Sequence, residues 1–354
     1  MRIAQVAPLY ESVPPKFYGG TERVVHYLTE ELVRQGHEVT LFASGDSRTS
    51  AKLVPACPTA VRLNPDRVDS LALHFIMMEE VFRNASSFDM IHFHIDYLHF
   101  PISRRVEVPN ITTLHGRLDL PTHKYFYREF SEVPLVSISD AQRLPVPWAN
   151  WQGTVYHGLP LNLLPPGQGK GNYLAFLGRI SPEKRVDRAI EISRRLNMPL
   201  KVAAKIDEAD RTYFETQVQH LFNHPAIEYV GEIGESQKAE FLGNAKALLF
   251  PIDWPEPFGL VMIEALACGT PVIAFRGGSV EEVIDQGITG FVVDSVEEAI
   301  EAAQRLLEIS RQTCRNIFES RFSASRMVDD YLKIYARLLR PADNVKSAEP
   351  VPSE

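Results

Sequence analysis

Short β-branched runs alternate along the chain with stretches whose apolar residues recur at three- and four-residue spacing, and the alternation lasts until about position 340. Residues 2–7 read as a strand, 22–35 as an amphipathic helix and 37–43 as a second strand, which together form a βαβ unit. In that helix Val24, Val25, Leu28 and Leu32 share one face, and Gly36 stands where a left-handed C-terminal cap is expected. Further strands are predicted at 90–94, 111–114, 135–139 and 154–156. At 163–172, LLPPGQGKGN, proline and glycine interrupt the pattern, and a domain boundary is expected there. Strands are predicted again at 173–177, 200–204, 227–230, 247–250, 271–275 and 291–293, with helices between them. Strands separated by helices pack as parallel sheets covered on both faces. The pattern therefore predicts an α/β protein of two Rossmann-like domains, 1–165 and 166–322, facing a cleft. A helix at 324–339, within the segment 323–340, is expected to cross back to the first domain. The Pro-, Glu- and Ser-rich residues 341–354 are expected to form a disordered tail.

Composition narrows the function classes. With 354 residues, 45% hydrophobic and 23% charged, the chain is an ordinary globular one and long enough for two cores. Its formal net charge of -8 repels phosphate backbones and anionic lipid, which argues against nucleic acid as a partner and gives no indication of peripheral membrane contact. Three cysteines without C-x-x-C spacing argue against a disulfide framework or structural zinc. The start MRIAQVAPLY runs directly into a strand pattern, and no run of about 18 apolar residues appears. A cytoplasmic protein is expected.

Candidate chemistry concentrates in a few segments. In PEPFGLVMIEALACGTPVIAF, Glu256 and Glu264 flank a helix start at about Phe258 or Gly259. The helix is otherwise apolar, so Glu264 needs a polar partner. Glu256 stands between Pro255 and Pro257, which stiffen its loop, and the amides after it lie at the positive end of the helix. This reads either as a capping carboxylate plus a paired core glutamate or as a site for sugar hydroxyls and phosphate. In FLGRISPEKRVDRAIEI, Ser181 is expected to cap, Pro182 to open the helix, and Lys184 and Arg185 to fall in its first turn. Cations are disfavoured there unless an anion binds, and Arg179 at the preceding strand end could join Lys184 on one diphosphate. The alternative is solvated surface charge.

FYGGTERVV puts Gly19 and Gly20 at the opening of the first helix, either as a tight turn or as a close backbone approach to a ligand. Glu22 either complements the helix dipole or faces an acceptor hydroxyl. The run DMIHFHIDYLHF would place His92, His94 and Asp96 on one face if extended, but no further ligands complete a metal shell. His115 ends a strand in TTLHG, facing the cleft or closing a turn. Gly277, Gly278, Gly287 and Gly290 mark turns. Nucleophile-elbow, H-E-x-x-H, Walker-A, G-x-G-x-x-G and D-x-D patterns are absent.

Six ordered segments, YGGTER at 18–23, TTLHG at 112–116, LGRISPEK at 177–184, EPFGLVMIE at 256–264, ACGTPVIA at 267–274 and GITGF at 287–291, resemble the family 4 retaining glycosyltransferases of the GT-B fold. The resemblance implies that Arg179 and Lys184 hold the diphosphate of a nucleotide sugar, with UDP the expected nucleotide and UDP-glucose a representative donor. It implies that Glu264 meets the ribose, and that Glu256 with the amides of Phe258, Gly259 and Leu260 meets the transferred sugar. His115 would approach that sugar from the other domain, Gly19 and Gly20 would contact phosphates, and Glu22 would lie toward a sugar, lipid-linked or small-molecule acceptor. Two departures stand out: Ser279 and Val280 where the family often has x-Pro in GG-x-P-E, and His157 in place of the interdomain asparagine.

Without D-x-D, fixed cations and a helix N-terminus can take the charge of the leaving group, so no cofactor and no divalent metal are expected. A GT-B nucleotide-sugar epimerase and a catalytically silent nucleotide-sugar-binding protein are the competing readings.

Overall fold

A computed structural model describes residues 1–340 apart from Pro65, Arg67 and the side chain of Leu63; the tail expected at 341–354 lies outside the described residues. Seven parallel strands build the first sheet: β1 (Arg2–Val6), β2 (Glu38–Ser44), β3 (Lys52–Cys57), β4 (Met90–Phe93), β5 (Asn110–Thr113), β6 (Leu135–Ser137) and β7 (Trp151–Thr154). Six more build the second: β8 (Leu174–Arg179), β9 (Leu200–Lys205), β10 (Ile227–Gly231), β11 (Ala247–Phe250), β12 (Val272–Phe275) and β13 (Gly290–Val293). The orders are β3-β2-β1-β4-β5-β6-β7 and β10-β9-β8-β11-β12-β13. Each sheet reverses its winding once, between β1 and β4 and between β8 and β11. Loops leaving the carboxyl ends of strands on either side of such a reversal diverge and open a crevice.

The first helix spans Gly20–Arg34, two residues ahead of the predicted start, and buries Val24, Val25, Leu28 and Leu32. Gly36 ends it at φ 86, where the Gly36 amide donates to Val33 O and the His37 amide to Leu32 O. Two strand expectations need correction. β3 escapes the hydrophobic pattern because it is an edge strand, half exposed and carrying Pro55, which an edge tolerates and an interior strand does not. β7 ends at Thr154, where the predicted strand begins; it pairs with β6 through Trp151, Gly153 and Thr154, with a register shift after Leu135.

The segment 163–172 is irregular but anchored to the second lobe. The amides of Gly167, Gly169 and Gly171 donate to Cys268 O, Gly243 O and Asn244 O, each at 2.9 Å. The Arg311 guanidinium ties the same carbonyls together, donating to Gly243 O and, at 2.6 Å, to the Thr270 hydroxyl.

The final helix, Ala324–Leu338, leaves the second lobe and packs on the first helix, burying Tyr331 and Tyr335 completely. Its start is pinned where Leu159 donates to Phe322 O and Ala324 donates back to Leu159 O. Among the described residues no helix is long and apolar enough to cross a membrane.

The joint at Leu159 admits no side chain at Gly158, whose Cβ would lie 2.3 Å from the Ser323 carbonyl oxygen. Gly158→Ala is expected to destabilise the protein by about 3 kcal/mol, read as a fall in denaturation midpoint, whereas Gly116→Ala, with open space at its Cβ, leaves the midpoint in place.

Candidate active site

Between the lobes lies a cavity of about 650 Å³, lined from the first lobe by the loops after β1, β4 and β5 and from the second by the carboxyl end of β9 and the loops after β8, β10 and β11. Gly19, Gly20, Glu22, His115, Arg179, Lys184, Glu256, Phe258, Gly259, Leu260 and Glu264 all line it. The fold thus brings together every site residue selected from the sequence, from positions up to 245 residues apart in the chain.

On the second-lobe wall each cation already has a carboxylate. Arg179 bonds Glu183 and pairs with Asp210 at 3.3 Å. Lys184 bonds Glu256, whose Oε2 also accepts from the Trp254 indole at 2.9 Å, and the Lys184 ammonium lies 5.1 Å over the Trp254 ring. Lys238 donates to Glu264 Oε1 at 2.6 Å, the polar partner the apolar helix demanded, while Glu264 Oε2 is buried without any partner.

The expected placement of Lys184 and Arg185 is corrected. Pro182–Lys184 form a separate 3-10 turn and Arg185 is left-handed at φ 51, so the α-helix begins only at Val186. The Ser181 hydroxyl is buried and makes no cap. A cation opposed to a helix dipole is therefore not what orients Lys184; its attraction to Glu256 is.

The helix Leu260–Ala267 starts one residue past its predicted edge, because Gly259 takes φ 77 as its N-terminal flank. A Cβ there would meet Phe250 and the Met262 methyl at 3.0 and 2.8 Å. Among the described residues the amides of Phe258, Gly259 and Leu260 have no protein acceptor, and all three residues line the cavity. Phe258 is buried edge-on against His157, with ring centroids 4.7 Å apart. His157, which stands in place of an interdomain asparagine, stacks in turn on His115 at 5.3 Å.

On the first-lobe wall, His92 and His94 do not share a face with Asp96. β4 ends at Phe93, and Asp96 turns away in a left-handed conformation, φ 51. His94 bonds His115 at 2.9 Å, and His92 bonds Thr113 and Tyr335. Burial, with neighbouring imidazoles adding to it, holds His92, His94 and His157 well below the usual histidine range, and burial alone lowers His115 to about 3. All four are neutral at pH 7. Burial, reinforced by Glu11, lifts the Glu22 carboxyl to about 7. Gly20 faces the other lobe, with a hypothetical Cβ 3.6 Å from Leu260, and Gly19 leaves no room for a Cβ beside Pro15.

Direct bonds join the two walls. Arg23 and Tyr27 both bind Glu235, the Tyr18 amide donates to Glu232 at 3.1 Å, and Glu282 accepts from the Asp140 and Ala141 amides and from Tyr156. Sequence reasoning passed over Lys238, Asp210, Trp254 and Glu235. Trp254 was open to recognition as an indole two residues from Glu256, whereas the others lie on amphipathic or polar stretches with no local signal.

Residues 18–141 match the description Glycosyltransferase Family 4, and residues 166–321 match Glycosyl transferases group 1. The glycogen synthase of Mycobacterium tuberculosis is 24% identical over 398 residues, covering 94% of each chain. A 41.2 kDa protein of the Klebsiella pneumoniae cps region is 27% identical over 173 residues, and the match spans 46% of this chain and 45% of that one. Sucrose-phosphate synthase from Thermosynechococcus elongatus superposes with a TM-score of 0.79 at 19% identity, over 95% of this chain and 98% of that one. The Anabaena protein HepE, solved in complex with UDP and glucose, gives 0.74 at 16% identity, over 95% and 100%. With one description matched on each lobe and the same architecture in these solved proteins, the chain belongs to the GT-B glycosyltransferases of the group 1 and family 4 type.

Proposed function

We propose that the protein is a retaining, metal-independent hexosyltransferase that takes its sugar from a nucleotide diphosphate sugar, with UDP as the nucleotide. The observation that carries this reading is the meeting of Arg179, Lys184, Glu256 and the free amides of Phe258, Gly259 and Leu260 on one wall, with His115 facing them from the other lobe. The binding of UDP and glucose by HepE supports the donor class.

In this reading Arg179 and Lys184 bind the diphosphate, assisted by the amides of Gly19 and Gly20. The two cations reach the cavity partly buried and already paired, so a phosphate takes over from a carboxylate instead of meeting a fully hydrated charge. The unpartnered Glu264 Oε2 accepts a ribose hydroxyl, while Lys238 holds the other oxygen in place. Glu256, once its ammonium partner turns to phosphate, accepts from hydroxyls of the transferred sugar.

As the bond from the anomeric carbon to phosphate lengthens, negative charge grows on the departing diphosphate and positive charge on the sugar ring. The acceptor oxygen forms its bond on the same face, and its proton passes to the leaving phosphate oxygen. A neutral His115 accepts a hydrogen bond without adding repulsion to the cationic ring. Arg179 and Lys184 supply the electrostatic stabilisation that a divalent ion supplies in other transferases. Glu22 lies toward the acceptor. Three buried free cysteines support a reducing, cytoplasmic setting.

A panel of nucleotide sugars, with and without EDTA, tests the reading. Nucleotide release and sugar transfer are expected to be insensitive to EDTA and to fall about 100-fold or more in Glu256→Gln and Lys184→Ala. Strict dependence on added manganese, or an isomerised donor with no acceptor product, would overturn it.

Glu22 allows a separate check. Its raised pKa means the folded protein holds a proton that the unfolded chain releases, so stability present below about pH 4.5 is lost as pH climbs toward 7. Glu22→Gln is therefore expected to match wild type in urea unfolding at pH 4.5 and to exceed it by up to about 3 kcal/mol at pH 8.

A further inference from the structure

A continuous set of buried hydrogen bonds runs from the final helix to His115. The Tyr331 hydroxyl meets Thr113 Oγ1 at 2.9 Å, and Thr113 meets His92 Nε2 at 2.7 Å. His92 Nδ1 meets the Tyr335 hydroxyl at 2.6 Å, and that hydroxyl accepts from Gln5 Nε2 at 3.4 Å. Gln5 Oε1 lies 2.8 Å from His94 Nε2, and His94 Nδ1 lies 2.9 Å from His115 Nε2. Gln5, His92, His94 and Thr113 are at most 2% exposed. None of these residues except His94 and His115 lines the cavity.

With Gln5 accepting from His94 through Oε1 and donating to Tyr335 through Nε2, the hydrogens along the chain are assigned in turn. An amide oxygen only accepts, so His94 carries its hydrogen on Nε2. A neutral imidazole has one hydrogen, which leaves His94 Nδ1 bare and obliges His115 to donate from Nε2. His115 Nδ1 is then a lone pair, and it is buried with no partner. Reversing the chain would leave an unpaired N–H at that buried position, and orphaned donors are rarer and costlier than under-used acceptors. At the other end Tyr335 accepts from Gln5, so it turns its own hydrogen to His92 Nδ1, and His92 donates from Nε2 to Thr113. Each member fits the next.

We propose that Gln5 and His94 are positioning residues for His115: Gln5 fixes the tautomer of His94, and His94 fixes both the tautomer and the ring orientation of His115 at the cavity. Its functional consequence rests on the proposed role of His115 beside the transferred sugar. The final helix takes part through Tyr335, so an element that starts in the second lobe governs a ring presented by the first.

Histidine labelled with 15N in the ring, in the full chain at pH 7, tests the assignment by long-range proton–nitrogen spectra, with His115→Gln identifying the His115 signals. His115 is expected with hydrogen on Nε2 and none on Nδ1; hydrogen on Nδ1 would overturn the proposal, and this measurement needs no other variant to fold. In Gln5→Leu the His115 signals are expected to become a mixture of tautomers, with kcat for sugar transfer down about 10-fold and donor KM within about twofold of wild type. Gln5→Glu, which retains an accepting oxygen, is expected to restore the single tautomer. Wild-type tautomer and wild-type kcat in Gln5→Leu would also overturn the proposal. Failure to bind any nucleotide sugar would instead remove the transferase reading and leave the tautomer result standing.

Discussion

Charge taken out of water between two lobes must be neutralised, paired or hydrogen-bonded, and the cleft meets this requirement differently on its two sides. The second lobe pairs: Arg179 with Glu183 and Asp210, Lys184 with Glu256, Lys238 with Glu264. The first lobe neutralises: the buried His92, His94 and His157 and the half-buried His115 stay uncharged, and the Glu22 carboxyl is lifted toward neutrality. A cavity results whose strongest charges are held in fixed directions by one another. Such an arrangement suits a ligand that brings its own negative charge to one wall and uncharged hydroxyls to the other.

The same requirement shapes the joint between the lobes. Arg23 is almost fully buried and would be an uncompensated cation without Glu235, which also receives Tyr27. Glu282 caps two free amides at Asp140 and Ala141. These contacts hold the walls together through polar groups, which can be exchanged for water when the lobes part, at lower cost than a hydrophobic seam. The hydrophobic connection is kept elsewhere, in the final helix and its two tyrosines. That helix is continuous with the second lobe yet packed on the first, and its Tyr335 hydroxyl bonds His92 and Gln5 within the first lobe.

Much of the fold was legible because its determinants are local. Strand and helix periodicity, the Gly36 cap and the interruption at 163–172 depend on residues within one turn or one strand of each other. Parallel topology followed from the alternation itself. β3 was hidden because an edge strand need not be apolar, and β7 because its register is set by β6 and not by its own residues. The Ser181–Arg185 stretch misled for a related reason: behind a strong cap-and-proline signal, Lys184 and Glu183 are tied to Glu256 and Asp253, 72 and 70 residues away.

The functional residues divide along the same line. The sequence by itself singled out glutamates, cations and glycines that the fold gathers on one cavity, since a lone carboxylate in an apolar helix or one held between two prolines is anomalous wherever it occurs. Only the tertiary structure decided what those groups face. Lys238 as the partner of Glu264, Asp210 beside Arg179, and the path from Tyr335 through Gln5 and His94 to His115 join elements far apart in the chain. Hydrogen bonds and ion pairs act over a few ångströms of space, and that distance bears no relation to separation along the backbone until the sheets have formed.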